Sequence, residues 1–278
     1  MKKIAISVLT KGYNSTDEYS TLITRNNLIH DNILEKSKLK YDMVIFHEGN
    51  ITKEHQEYIS KNSKCALIFK DVKNSADNSA FDDSKCIINN ELCPPTELSA
   101  TFPLGYKHMC HFWSIDFFKY LSEYQYTIRI DEDCYVDRID TEIINNIVEQ
   151  DIKFAVPLIC DSLDHPHVIL GLDTLLTTFL KKNNLQLRVP YDQIKSPNTN
   201  FMILDLDFFR SNTLIQEFLT EIDNSHGIYS NRWGDAPIWG IVLYTLLEEA
   251  FYELSSIGYL HGSHNHYVNP QPEFKYEF

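Results

Sequence analysis

Long apolar runs are missing from this 278-residue chain. The stretch from Ile4 to Leu9 is too short for a signal-peptide core, and nothing elsewhere approaches the roughly 18 apolar residues of a membrane span. The expectation is a soluble chain without signal peptide or membrane anchor, located in the cytoplasm. Positive charge is also scarce: 25 Lys and Arg stand against 39 Asp and Glu, a net charge of −14. Such a surface repels phosphate backbones and disfavours nucleic acid as a partner. A small anionic substrate would be repelled too, unless a divalent cation bridged it to the protein. The six cysteines, at positions 65, 86, 93, 110, 134 and 160, contain no CxxC pair and no zinc-ribbon spacing. They are expected to be reduced, although Cys86 and Cys93 could meet across a loop. GxGxxG, P-loop, GxSxG and HExxH motifs are absent, which removes the commonest rival enzyme classes.

What remains is enough for a sizeable core: 43% of residues are hydrophobic and 13% aromatic. Residues 3–9, 41–46 and 65–69 read as buried strands, separated by helical spacing over 18–39 and by a short helix over 51–60 with Thr52 as its N-cap. Strand and helix in alternation predict a parallel sheet with helices on its faces. Residues 71–104, rich in Asn, Asp and Ser and holding Cys93-Pro94-Pro95, predict an irregular insertion. Further on, 105–121 reads as an apolar helix, 124–130 as a strand, 139–149 as a helix and 152–158 as a strand. Residues 200–206 read as another strand, 213–224 and 235–249 as helices, and the tail from Gly258 as loop. The expected organisation is one domain over 1–278: a nucleotide-binding half (1–70), the insertion (71–104), and a metal and acceptor half (105–278).

Three places could carry chemistry. Asp131-Glu132-Asp133 directly follows the strand ending at Ile130, and ligands of open α/β sheets gather outside the carboxyl ends of strands. Carboxylates there suit a hard cation that bridges two phosphates. On spacing alone the triplet reads equally well as a solvated acidic turn capping the next helix. Asn231-Arg232-Trp233-Gly234-Asp235-Ala236-Pro237 combines a cation, an indole and a carboxylate, a set that can hold a sugar ring. Taken alone, Asp235 reads more simply as an N-cap with Pro237 in the first turn. The tail holds His261, His264 and His266, of which one could complete the coordination of an ion at the triplet.

Read together, these segments resemble one family. GYKHMCHFWS (105–114) is similar to its GY-x-x-MCR helix, and YTIRIDEDCYV (126–136) to its WRVEPDV strand and acidic turn. NFMILDLDFFR (200–210) resembles NFEI-x-DLDFFR, GIYSNRWGDAPIWGI (227–241) resembles GFYYERWGDAPVHSI, and SIGYLH (256–261) resembles DIGYHH. The family is the fungal-type α-1,2-mannosyltransferases, glycosyltransferase family 15, and the ordered matches run from 105 to 266. The resemblance implies a GT-A type α/β fold, with a Rossmann-like, mostly parallel central sheet flanked by helices. It implies a metal-dependent retaining transfer of mannose from GDP-mannose to a sugar hydroxyl of a glycan or glycoconjugate, with Mn²⁺ as cofactor and Mg²⁺ as the substitute. The alternatives are another nucleotide-sugar donor, or a catalytically impaired nucleotide-sugar binder.

Carried over by position, Asp131 matches the family's metal-binding glutamate and Asp133 its aspartate, while His261 matches the histidine that completes the metal site. Asp131, Glu132, Asp133 and His261 are thus the expected metal ligands. Asp131, Asp133, Tyr106 and Arg129 are expected on the donor side, and Arg232, Trp233, Asn200 and Tyr229 against substrate. Asp235 matches the RWGDAP aspartate near donor and acceptor, and with Asp205 is the expected catalytic carboxylate. Three positions depart from the family: Glu132 replaces a proline, His111 the arginine of MCR, and Met202 the glutamate of NFEI. A thioether cannot form a glycosyl ester, so retention here points to a front-face mechanism unless Asp205 or Asp235 substitutes.

Overall fold

A computed structural model describes residues 2–74, 80–248 and 251–269. Its strands in chain order are β1 (Ile4–Thr10), β2 (Tyr41–His47), β3 (Leu67–Asp71), β4 (Tyr126–Ile130) and β5 (Cys134–Arg138), then β6 (Phe154–Val156), β7 (Phe201–Asp205), β8 (Tyr252–Glu253), β9 (Gly258–His261) and β10 (His266–Val268). Seven of them form one sheet in the order β3-β2-β1-β4-β7-β6-β8. Every neighbouring pair is parallel except the two that involve β7, which runs against both β4 and β6. The expected mostly parallel sheet is therefore present, with one reversed strand inside it. The remaining three form a small antiparallel sheet, β10-β9-β5.

Alternating side chains of the large sheet feed two cores. One face carries an aromatic core that includes Phe46, Phe112, Trp113, Phe117, Phe154 and Trp239. The other is mostly aliphatic, with Ile4, Ile6, Ile29, Ile33 and Ile128 beside Tyr259. Each such side chain contributes about 1.5–3 kcal/mol by leaving water. Thr52 caps the helix Lys53–Asn62 as expected, accepting from the His55 amide at 3.3 Å. The stretch read as one helix over 18–39 is instead a capped 3-10 turn, the α-helix Ser20–Ile29 and a π-turn over His30–Leu34. A π-turn also interrupts the apolar helix after Leu104–His111, and another ends the helix that begins at Asp235.

The insertion is irregular, as expected, apart from the 3-10 turn Asp83–Lys85 and the single helical turn Glu97–Ala100; residues 75–79 lie outside the description. Side chains pin it down. Asn89 donates to the Ser225 carbonyl at 3.0 Å, and Asn231 donates to the Pro94 carbonyl at 2.8 Å. Two readings need correction. The tail from Gly258 is not a loop, since it forms β9 and β10. The amphipathic helix Leu172–Lys182, which buries Leu172, Leu175, Leu176, Phe179 and Leu180, was not foreseen. All six cysteines are free. Among the described residues no helix is long and apolar enough to cross a membrane.

Candidate active site

The site forms where β4 ends. Arg129, fourth in β4, is 2% exposed and has its guanidinium 4.4 Å from the centre of the Trp113 ring. It binds Asp131 through two nitrogens, at 2.7 and 3.0 Å, and Asp235 through the third, at 2.5 Å. Burial disfavours its charge, but the two carboxylates outweigh that and raise its pKa above the usual arginine value. Asp235 reaches this point because its helix, Asp235–Ile241, starts there, beside the aromatic core. A second arginine backs the same strand end from the other face. Arg25 is fully buried, donates to the Ile130 carbonyl at 2.7 Å and to Asn26 at 2.9 Å, and has its pKa lowered to about 10 by burial.

The three consecutive acids after β4 point in three directions. Asp131 turns back to Arg129. Glu132 accepts from Thr10 at 2.6 Å and from the Tyr13 hydroxyl at 3.0 Å, both in the segment that leaves β1. Asp133 faces the small sheet, where β5 and β9 pair Cys134 with His261. There His261 Nε2 stands 3.5 Å from the Asp133 carboxylate, which also accepts from the Ser263 amide at 3.0 Å. Burial works against the Asp133 charge, but the Ser263 bonds and His261 keep its pKa below the ordinary value. Burial also lowers the pKa of His261 despite Asp133. An ionised carboxylate beside a neutral imidazole is a donor set that fits Mn²⁺ or Mg²⁺ with positions left for diphosphate oxygens. Of the four metal ligands expected from the sequence, Asp133 and His261 face each other, whereas Asp131 is bonded to Arg129 and Glu132 to Thr10 and Tyr13. A groove of about 930 Å³ runs from Asp133 along the helix Ser20–Ile29, lined by Thr24, Leu28, Tyr135, Ser263 and Tyr267 among others.

The other expected residues divide. Arg232, held in the left-handed region at φ 64°, donates to Asp164 at 2.7 Å and to the Tyr106 hydroxyl at 2.8 Å, with its guanidinium over Phe102. Tyr106 therefore belongs with Arg232. Asn200 accepts from Tyr259 at 2.5 Å, and its carbonyl holds the Asp131 amide at 2.8 Å. Its buried Nδ2 has no hydrogen-bond partner among the described residues.

Three expectations are overturned. Trp233 is fully buried, gives its indole N–H to the Leu170 carbonyl at 3.0 Å, and packs so tightly on Gly227 that a Cβ there would lie 2.3 Å from its ring. It cannot stack on a sugar. Tyr229 is also buried, with its hydroxyl 3.0 Å from His108. Asp205 pairs with Tyr126 at the start of β4, roughly 13 Å along the strand from Ile130. There it caps the helix Leu206–Ser211 and binds Lys153 at 3.0 Å. The reversed direction of β7 places its beginning, and not its end, at the site.

Sequence reasoning missed Thr10, Tyr13, Trp113 and Ser263. The first two were within reach, since they follow the carboxyl end of β1, beside β4. Met202 is buried and pairs with Arg129 across β4 and β7, so the position of the family's glutamate faces the arginine cluster.

His111, in place of the family's arginine, lies between two carboxylates: Nδ1 is 2.9 Å from Asp116 and Nε2 2.7 Å from Asp223. Lys119 pairs with Asp116, Lys85 with Asp223, and the Tyr229 ring lies against the imidazole. Only a protonated ring donates in both directions. Burial opposes that charge, but the two carboxylates prevail, and the pKa is raised above its ordinary 6.5. A pKa raised on folding gives stability that is complete below about pH 6.5 and is lost as pH rises through the folded-state value. Urea unfolding should show this decline, and His111→Arg, charged throughout, should flatten it. An unchanged slope in that variant would remove His111 as its source.

The sheet order, the helices on both faces and the acidic turn at the end of β4 define a GT-A type fold. Core-mannan synthase A from Aspergillus fumigatus, solved in a Mn/GDP form, superposes with a TM-score of 0.76 at 20% identity, over 100% of this chain and 79% of that one. A family model described as glycolipid 2-alpha-mannosyltransferase matches residues 174–276. Glycolipid 2-alpha-mannosyltransferase 1 of Candida albicans is 26% identical over 283 residues, covering 93% of this chain and 63% of the relative. The probable mannosyltransferase MNT3 of Candida albicans is 29% identical over 179 residues, covering 58% and 46%. The chain spans about half the length of the curated relatives it matches. It resembles the fungal-type α-1,2-mannosyltransferases of glycosyltransferase family 15.

Proposed function

We propose that the chain is a single GT-A domain that transfers mannose, with retention, from GDP-mannose to a hydroxyl of a glycan or glycoconjugate. The observation that carries this reading is the meeting of Asp133 and His261 beside the Asp131–Arg129–Asp235 cluster at the end of β4. A divalent cation there, Mn²⁺ in preference to Mg²⁺, supplies the charge that neutralises the leaving diphosphate. Asn200 Nδ2 keeps a hydrogen bond to donate. Arg129 holds Asp235 in place to orient the acceptor hydroxyl. With Met202 unable to act as a nucleophile, the acceptor oxygen bonds to the anomeric carbon on the face from which the diphosphate departs. The acceptor proton passes to the leaving phosphate oxygen. The six free cysteines fit a reducing, cytoplasmic setting.

The test is a panel of nucleotide-sugars with Mn²⁺ or EDTA, reading both melting temperature and donor turnover. GDP-mannose should raise the melting temperature only with the cation, and should be consumed when a mannoside acceptor is present. Turnover of a different donor would correct the sugar. The absence of any nucleotide-sugar effect would sink the reading.

A further inference from the structure

The insertion carries a second group of metal-type donors that the transfer site does not use. Asp83 and Cys86 stand at the first residue and just past the last of the turn Asp83–Lys85, so the turn brings both side chains to one side. His108 comes up from the helix Leu104–His111, buried, with the Phe81 ring centred 5.3 Å away. A carboxylate oxygen of Asp83, the Cys86 sulfur and a ring nitrogen of His108 all lie within 4.8 Å of one another. We propose that these three side chains bind a thiophilic divalent ion of the Zn²⁺ class, which fastens the insertion to the helix behind it.

The geometry supports this in three ways. Tetrahedral zinc, with bonds of about 2.3 Å to sulfur and about 2.0–2.2 Å to nitrogen and oxygen, needs donors as closely grouped as these. The histidine is already oriented: Nδ1 is 3.0 Å from the Tyr229 hydroxyl, and Nε2 is 3.0 Å from Asp83 Oδ1. That is the arrangement in which an outer partner fixes the ring and the inner nitrogen faces the metal. Finally, the charges balance. One carboxylate, one thiolate and a neutral imidazole offset a divalent ion, as a partly buried site requires. The nearest basic groups are engaged elsewhere, Lys107 with the Tyr229 carbonyl at 2.8 Å and Lys85 with Asp223 at 3.6 Å. Binding would displace the Cys86 proton into solvent and break the direct Asp83–His108 hydrogen bond.

The Asp133–His261 pair, with the Cys134 sulfur close by, carries the same donor types, so variants at each place are needed to tell the two apart. The ion would close the insertion at one end, as the Asn231–Pro94 bond does at the other. Through Tyr229 it would also steady the short helix Gly227–Asn231, which leads directly into Arg232.

Cobalt provides a readout independent of transferase activity. Metal-stripped protein should bind Co²⁺ with a thiolate-to-cobalt charge-transfer band and the visible bands of a tetrahedral ion, and Zn²⁺ should displace it. Cys86→Ser should abolish the charge-transfer band. Asp83→Asn, at an exposed position where refolding is not at stake, should weaken binding by at least about tenfold. Asp133→Ala disrupts the donor set next to Cys134 and should leave the band intact. The proposal is overturned if the wild-type protein gives no such band, if the band survives in Cys86→Ser, or if it disappears in Asp133→Ala.

Discussion

Replacing Arg129 by methionine should cost about 3–5 kcal/mol of folding stability, read from urea unfolding near neutral pH. The guanidinium is buried between Asp131 and Asp235, and its removal strands both carboxylates without a counter-charge. Trp113 loses the cation above its ring as well, worth about 0.5–2 kcal/mol. Methionine keeps much of the volume, so a packing defect is a small part of the effect. The mechanism makes a second demand that a packing account does not. Adding Asp235→Asn to Arg129→Met should recover about 2 kcal/mol, because one of the stranded charges is gone. A loss below about 1 kcal/mol in the single variant, or no recovery in the double, would show that the cluster is not held by charge.

Asp133→Ala should lower Mn²⁺-dependent donor turnover by about 10²–10³-fold, whereas Glu132→Gln should stay within about tenfold of the wild type. The two acids are neighbours in sequence and equal in charge, so the contrast tests direction alone. Asp133 faces His261 across 3.5 Å, while Glu132 is occupied by Thr10 and Tyr13. Glutamine keeps an acceptor oxygen for one of those hydroxyls, and the other can turn to accept from the new amide N–H. The melting temperature should separate the variants too: the rise produced by GDP-mannose with Mn²⁺ should vanish in Asp133→Ala and persist in Glu132→Gln. Equal losses in both would return Glu132 to the metal set.

The contrast also shows how far the residues could be read without coordinates. Apolar, β-branched runs such as those around Ile4, Val44 and Ile128 declare strands because each is buried on both faces. The acidic triplet was equally visible, and its place at a strand end followed from the alternation of elements. Which of its three carboxylates faced an ion was not visible, because a turn sends successive side chains to different neighbours and those neighbours, Thr10, Arg129 and His261, come from distant parts of the chain. Asp205 misled for a related reason. A strand's residues look the same in either direction, and only the pairing with β4 reveals that β7 runs backwards. The small sheet escaped because β5, β9 and β10 are short and lie apart in the chain. The helix Leu172–Lys182 did carry a signal, since Leu172, Leu175, Leu176 and Phe179 follow helical spacing.

The central position of β4 governs the order in which the molecule is assembled. Its partner on one side, β1, begins at Ile4, which pairs with Tyr126, and its partner on the other ends at Asp205, which pairs with the same residue. Neither pairing can form without closing a loop of many tens of residues, so both pay their entropy before contacts repay it. The β1–β2–β3 unit has short connections and can form early, as the chain leaves the ribosome. The Asp133–His261 clasp cannot exist until residue 261 has been made and β9 has found β5. The approach of Asp133 to His261 therefore marks a pairing of distant segments, β5 with β9, that the growing chain can make only near its end.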